Sequence, residues 1–565
     1  MFSINYKKVK KFDLESAKHE SSQDNDYNPF EIRDLQSYIP TFTRFFEMDD
    51  KNYNKIALNH RYQVHDSKTV YDTAASSDLL IEKPIFVKYS PVLDPLHFLR
   101  GKYNLETEVT RTLPKFNETC LSKLMDVNNA SYVDGFFSYL TSMMKETHGW
   151  IHGIEYYGSF MGVQRRFRYN IADDLDFVMN CPYFVNNMNK YFSVDLAASS
   201  IINKYSGEGS RSNKIKLAID DADDAIVLDF ENLSPDSLVE NTEEVPGLEV
   251  EYESKEKDKS ESSYSDSSSE SDSGSESESS YDDSKGSDWE TESGSGSGSE
   301  SESGSESGSE SGSEYEDEEQ MFSYLNEFPV QLIFQEKCTG TFDKLIMQRQ
   351  LNDEHFIDAL MQITMMLSTY QKMFNFTHND LHTNNVMFVE TDIECLYYKI
   401  DGHYYKVPTN GRIFKLIDFG RSIYKFGSKT FFSDSFAPSG DASTQYNCEP
   451  FMNPNKPRID PNPSFDLCRL GCSIFDFVCR SKDLKTPLQK LVDSWCNDDF
   501  GKSVLYKSSG QERYLDFKLY KMIARTVNNI VPRDQLRTPI FSKYLVDNVA
   551  GCSVMDIDAF PVYYA

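Results

Sequence analysis

The chain has 565 residues, and its first 100 contain no glycine. Glycine lets backbone N–H groups approach a phosphate closely, often at positive φ, so this stretch excludes a glycine-rich phosphate cradle. The small residues Thr73, Ala74, Ala75, Ser76 and Ser77 are the nearest substitute for such a turn. No C-x-x-C pair or regular spacing organises the ten cysteines, which excludes a disulfide framework and fits a reducing cytosol. Cys468, Cys472 and Cys479 recur at helical spacing and read as buried thiols. No apolar run reaches 18 residues, and "MFSINYKKVKKFD" lacks the apolar stretch of a signal peptide. Neither a membrane span nor secretion is expected, and a cytoplasmic location is.

Positive charge is also scarce, at 58 Lys and Arg against 90 Asp and Glu, a net −32. The imbalance is uneven. Residues 249–319 hold 25 acids and 4 bases, a net of −21, in a Ser, Gly, Glu and Asp background with almost nothing to bury. Such a tract cannot offset its ordering entropy and is expected to be disordered. It repels nucleic acid, so no direct DNA or RNA binding is expected from it. It suits a solubilising spacer, a polyanion for basic proteins, or a multisite phosphoacceptor, given its Ser-x-x-Glu and Ser-Glu-Ser repeats.

The chemistry concentrates in His378-Asn379-Asp380-Leu381-His382-Thr383-Asn384-Asn385 and, further on, Asp418-Phe419-Gly420. This places a carboxylate, an amide five residues later, and a second carboxylate after an apolar strand. Residues 353–374 read as a helix capped by Asn352, with Phe356, Leu360, Ile363, Leu367, Tyr370 and Phe374 on one face. Val386–Val389 and Ile413–Ile417 read as short strands flanking the pair. Asp466-Leu467-Cys468-Arg469-Leu470-Gly471 opens a further apolar helix, expected to be buried all round.

These residues resemble the eukaryotic protein kinase family. "FVKYSPVLDP", "YYKIDGHYYKVPTNGRIFKLIDFGRSIY" and "FDLCRLGCSIFDF" further resemble the kinase-like proteins of large DNA viruses of the mimivirus type. The resemblance covers roughly 80–170 and 325–480. It implies an α+β, bilobal protein-kinase-like fold with a small β-rich N-lobe and a larger helical C-lobe. The expected order is an extension (1–80), the first N-lobe part (81–170), an insertion (171–240), the acidic tract (241–320), the last N-lobe strand and hinge (321–341), and the C-lobe (342–565). The extension is polar and aromatic, and is expected to wrap the N-lobe or stay partly disordered. Strands are placed near 151–160 and 329–336.

In that family ATP and Mg²⁺ are the cofactors. By resemblance, Asp380 accepts the substrate hydroxyl's proton, Asn385 and Asp418 hold Mg²⁺, and Lys88 pairs the α- and β-phosphates. Asp466 braces the catalytic loop. Lys88 needs an acidic partner on the next long helix, residues 131–146. Asp134 is the candidate, although the family uses Glu, with Glu146 and Glu118 in reserve. Glu336 to Cys338 form the hinge for the adenine edge. The acid clusters Asp173, Asp174 and Asp176, and Asp220 to Asp224, lack octahedral or EF-hand spacing and read as solvated turns. Trp495 and the run from Leu519 to Ile523 read as C-lobe core.

Three departures matter. The glycine-rich loop is missing, Asn379 replaces an Arg that binds activation-loop phosphate, and His382 replaces a Lys. "HNDLHTNN" therefore also resembles choline- and aminoglycoside-type kinases. The long Ser-, Thr- and Pro-rich segment from Asp418 to Pro463 suits docking of a polypeptide better. The expected activity is phosphoryl transfer to Ser or Thr of a protein substrate. The alternatives are a pseudokinase scaffold or a small-molecule kinase.

Overall fold

Two long strands, each buried along most of its length, organise the first sheet. The computed structural model describes residues 2–21, 27–75, 79–118, 120–172, 174–195, 321–480, 483–515 and 517–564, which form a mixed α+β fold. Strands β1 (Ile32–Gln36), β2 (Ile85–Pro91), β3 (Tyr156–Asn170) and β4 (Phe322–Glu336) make an antiparallel sheet in the order β1-β3-β4-β2. The strands expected near 151–160 and 329–336 are longer than periodicity suggested, because each continues as a half-buried ribbon. They pair from Phe322↔Asn170 to Gln335↔Tyr156. The 171–240 insertion therefore opens within a hairpin. Its described part is two short helices (Leu175–Met179, Pro182–Asn187) and the strand Phe192–Val194, which pairs with β4. Asp174 accepts the Tyr169 hydroxyl at 3.0 Å. Asp173, Asp220 to Asp224 and the acidic tract lie outside the described residues.

The N-terminal extension wraps the sheet. Phe12 stacks 4.9 Å from Phe334 and 5.8 Å from Phe160, and Phe30 meets Tyr89 edge-on at 5.8 Å. Phe2 reaches the other terminus, its ring 4.4 Å from Tyr563. Aromatic burial of this kind needs no periodicity, which is why the segment lacked a helix or strand signature.

Helix α1 (Ala130–His148) lies against the sheet. The Asn129 side chain accepts the Ser131 N–H to start it, and Gly149 at φ +66 ends it in the left-handed region where a Cβ is unfavourable. Helix α2 (Asp353–Phe374) is buried on nearly every face, with Asn352 accepting the His355 N–H at 2.9 Å. Strands β5 (Val386–Glu390) and β6 (Arg412–Leu416) pair antiparallel beside it. Between them an unanticipated hairpin (Cys395–Ile400, His403–Pro408) is flanked by Leu545–Val546 and Val554–Asp556 from the chain's end. Helix α3 (Phe465–Val478) is buried mainly as far as Ile474, and its last turn, with half-buried Phe475, Phe477 and Val478 and exposed Asp476, lies at the surface. Cys468, Cys472, Cys479 and Trp495 are core residues as expected.

His152 is fully enclosed and fixed in one tautomer. Its Nδ1–H donates to the Phe414 carbonyl at 2.7 Å, and its Nε2 accepts the Tyr398 hydroxyl at 2.7 Å. Burial holds its pKa down to about 3, and His60 is held down to about 3 in the same way. Unfolded, each ring titrates near 6.5. The unfolded chain therefore binds more protons between these values, and stability is full above pH 6.5 and falls as the pH drops towards 3. Each ring contributes up to about 1.4 kcal/mol per pH unit in that window. Urea unfolding at pH 7 and pH 5 is expected to show a clear loss at pH 5, and equal midpoints would refute the assignment.

Candidate active site

Lys88 faces Ile333 across β2 and β4. Its Nζ donates to Asp134 Oδ2 at 2.6 Å and to Asp418 Oδ1 at 2.8 Å. Asp134 is the expected partner, and its shorter side chain reaches because α1 runs close to the sheet. A Cβ on the neighbouring Gly135 would stand 2.4 Å from Gln331 Nε2. The other Asp134 oxygen accepts the Phe419 N–H at 2.9 Å. Burial pulls the Lys88 pKa down, but Asp134 and Asp418 outweigh it and the net shift is upward. Burial likewise opposes ionisation of Asp418, yet Lys88 holds that carboxyl at about 2. For Asp134 burial wins, and its pKa is raised. The reserves are elsewhere. Glu146 accepts the Arg61 N–H about 18 Å further along α1, and Glu118 pairs with Lys115 at 3.1 Å.

Asp418 sits at φ +62, and Phe419 beside it is fully buried, edge-on to Phe137 of α1 at 4.7 Å and 5.7 Å from His378. The helix is thus tied to Asp418-Phe419 by charge and by apolar packing together. The catalytic-loop candidates are held from below. Buried Asp466 accepts the His378 N–H at 2.8 Å and the Asn379 N–H at 2.9 Å. Asn385 Nδ2–H donates to the Asp380 carbonyl at 2.9 Å and to His382 Nε2 at 3.1 Å, which aims its Oδ1 away from both.

Three residues near Asp380 escaped the sequence. Tyr520, on helix α4 (Phe517–Thr526), donates its hydroxyl to Asp380 Oδ1 at 2.9 Å. Arg421 lies 3.4 Å from Asp380 Oδ2 and also pairs with Asp441. Tyr446 donates to Asn379 Oδ1 at 2.6 Å, while Asn379 Nδ2–H donates to the Arg421 carbonyl at 2.9 Å. In the expected core run, Ile523 is buried but Leu519 and Tyr520 are only half-buried. No local pattern signals a contact across 140 residues.

The main chain of the expected hinge is partly occupied. The Glu336 N–H donates to the Glu155 carbonyl at 2.9 Å and the Lys337 N–H to the Pro84 carbonyl at 3.0 Å, while the Glu336 carboxylate braces the strand end through buried Lys415 at 2.9 Å and the Glu155 N–H at 2.9 Å. The Cys338 N–H and C=O, by contrast, have no hydrogen-bond partner among the described residues. They are the main-chain groups of 336–338 left free to meet a ligand.

The substitute phosphate turn is not where the resemblance needs it. Ser76 and Ser77 lie outside the described residues. Thr73 donates its N–H to the Arg61 carbonyl and accepts Lys7, so it sits with the Glu146 end of α1. The hairpin Thr69–Asp72/Leu79–Glu82 pairs with Tyr62–Val64, and among the described residues no strand covers the outer edge of β2.

Could the site hold Mg²⁺? Asp418 and the Asn385 Oδ1 offer two hard oxygen donors. Among the described residues no group of three His, Cys, Asp or Glu side chains is arranged to hold a metal. Mg²⁺ takes one or two protein oxygens and completes its shell with phosphate and water, so the two oxygens suit it by type. The donor set fits.

Replacing Asp466 by Ala leaves two buried N–H groups unpaired, each costing about 1–3 kcal/mol. Denaturant unfolding of Asp466→Ala should lose at least 2 kcal/mol in total. A loss within error of zero would sink its bracing role. Compared with models of known protein families and with curated proteins, the chain matches none.

Proposed function

We propose that the protein has a bilobal protein-kinase-like fold and transfers the γ-phosphoryl group of ATP to a Ser or Thr hydroxyl of a protein, as do the viral kinases its phrases resemble. One observation carries this reading: the Lys88 ammonium bridges Asp134 and Asp418 beside a loop in which Asn385 is hydrogen-bonded to the Asp380 carbonyl. Phosphoryl transfer needs little covalent help from a protein, so positioning and charge do most of the catalysis.

Each residue then has a task. Lys88 stays protonated and offers its ammonium to phosphate oxygens. The Asp418 carboxylate and Asn385 Oδ1 are the protein's oxygens for Mg²⁺. When bound, Mg²⁺ neutralises charge on the transferring phosphoryl group. Asp380 takes the acceptor's proton, for which the Tyr520 hydroxyl must release it. Asp466 keeps the loop in register. Because Asn379 is a neutral amide already satisfied by Tyr446, activity should not depend on phosphorylation of the 418–463 segment.

A second reading, nucleotide binding without turnover, rests on the uncovered edge of β2 and the Tyr520 bond to Asp380. Incubation with labelled ATP, Mg²⁺ and a generic protein acceptor separates them. Asp380→Asn should lower turnover by about 10²-fold or more while ATP still raises the melting temperature. Lys88→Met should abolish that thermal shift. Undiminished turnover in Asp380→Asn would refute the assigned base, and a thermal shift without any turnover would favour the second reading.

A further inference from the structure

The first two turns of α1, which carry Asp134, are gripped by the chain just beyond Asp418. The Phe419 N–H reaches Asp134, and the Tyr424 hydroxyl donates to the Val133 carbonyl at 2.9 Å. Tyr424 and Phe431 belong to a short antiparallel pair of strands (Ile423–Phe426, Lys429–Phe432), and the Phe431 ring stacks 4.7 Å from that of Phe136. Asp434 completes the grip at the start of the helix. Its Oδ1 accepts the Ala130 N–H at 3.0 Å, and its Oδ2 accepts from Lys123 Nζ at 2.6 Å. Its own N–H donates to the Asn128 carbonyl at 2.9 Å, and the residue is only 4% exposed.

The first N–H groups of a helix lack partners within it, and a carboxylate there also meets the positive end of the helix dipole. Asn129 already supplies the local cap by accepting the Ser131 N–H. Asp434 comes from 304 residues downstream, so it adds a tie between α1 and the segment after Asp418. That segment is closed on itself. The Ser433 hydroxyl donates to the Gly420 carbonyl at 2.6 Å, and a Cβ on Gly440 would stand 2.2 Å from the Ser435 carbonyl oxygen. Arg421 joins Asp441 of the segment to Asp380. Asp134 lies one turn along α1 from Ala130, where it holds Lys88. Asp434 therefore stands between the segment that touches Asp380 and the helix that touches Lys88.

We infer that Asp434 is a positioning residue: by tying the 419–441 segment to the start of α1 it sets the place of Asp134, and through Asp134 the Lys88 bridge. As a statement about the reaction it rests on the phosphoryl-transfer reading above. Without the carboxylate, the Lys123 ammonium and the Ala130 N–H lose their partner, and the helix start is free to leave the segment. Lys88 then keeps Asp418 but loses the fixed position of Asp134.

The test uses the full chain carrying Asp434→Ala, with Asp434→Asn as a second variant that keeps an oxygen for the Ala130 N–H. A water-soluble amine-reactive ester is applied briefly, and acylation of each lysine is read by mass spectrometry. The bridge shields the Lys88 ammonium and holds it protonated, whereas the reagent takes the neutral amine. Lys88 should be acylated about fivefold faster or more in Asp434→Ala, and about twofold faster in Asp434→Asn. Lys415, held by Glu336 and the Gly153 carbonyl instead, should react as in the wild type. General loosening of the fold would speed both lysines together, and that outcome, like an unmoved Lys88, overturns the proposal. With labelled ATP, Mg²⁺ and a generic protein acceptor, kcat of Asp434→Ala should fall about tenfold or more. An undiminished kcat overturns the positioning role as well. Absence of turnover in the wild type removes the phosphoryl-transfer reading alone, and the labelling of Lys88 still decides whether Asp434 sets the bridge.

Discussion

One ammonium group shared between two carboxylates holds the candidate site together. Lys88 belongs to a strand, Asp134 to a helix, and Asp418 to the turn after a strand some 330 residues downstream. A buried charge left alone would be costly, so each of the three elements is held in place by the other two. Phe419 adds an apolar lock by packing on Phe137, one helical turn from Asp134. Charge and packing thus favour the same arrangement.

Several of the buried polar groups in this protein are satisfied by groups far away in sequence. Asp466 receives the amides of His378 and Asn379, Lys415 joins Glu336 to the Gly153 carbonyl, and His152 bridges a carbonyl and a hydroxyl. Such networks contribute modestly to net stability, but a partial rearrangement of them is expensive. They therefore specify geometry more than they deepen the folded state. Asp380 is the contrast, since its partners Tyr520 and Arg421 are both only half-buried.

Local pattern made α2 and its Asn352 cap legible, and with them the strands that flank the catalytic loop. Short motifs pointed to Asp380, Asn385, Asp418 and Asp466, and the fold ties Asp466 to the loop that carries the first two and Asp418 to Lys88. Asp134 was found through helix periodicity and the need for an acid opposite Lys88. What escaped depended on long-range meetings. The Cys395–Pro408 hairpin finds its neighbouring strands near the chain's end, and Tyr520 reaches back across the C-terminal half. Nothing near Glu336 announced buried Lys415 as the partner of its carboxylate. The small-residue turn starting at Thr73 had suitable composition, but its hairpin pairs with Tyr62–Val64 and leaves β2 exposed.

The Asp195 N–H donates to the Phe322 carbonyl at 2.9 Å, and the chain between these two residues departs from and returns to the sheet at a single point. Closing that gap costs entropy that grows only with the logarithm of its length, about 0.6 kcal/mol per doubling. Evolution could therefore have expanded this connection freely, and a protein engineer could shorten it to a brief linker with the Lys88 bridge intact. The port is, in effect, a grafting site that the scaffold tolerates because both cut ends are already stitched to the same strand.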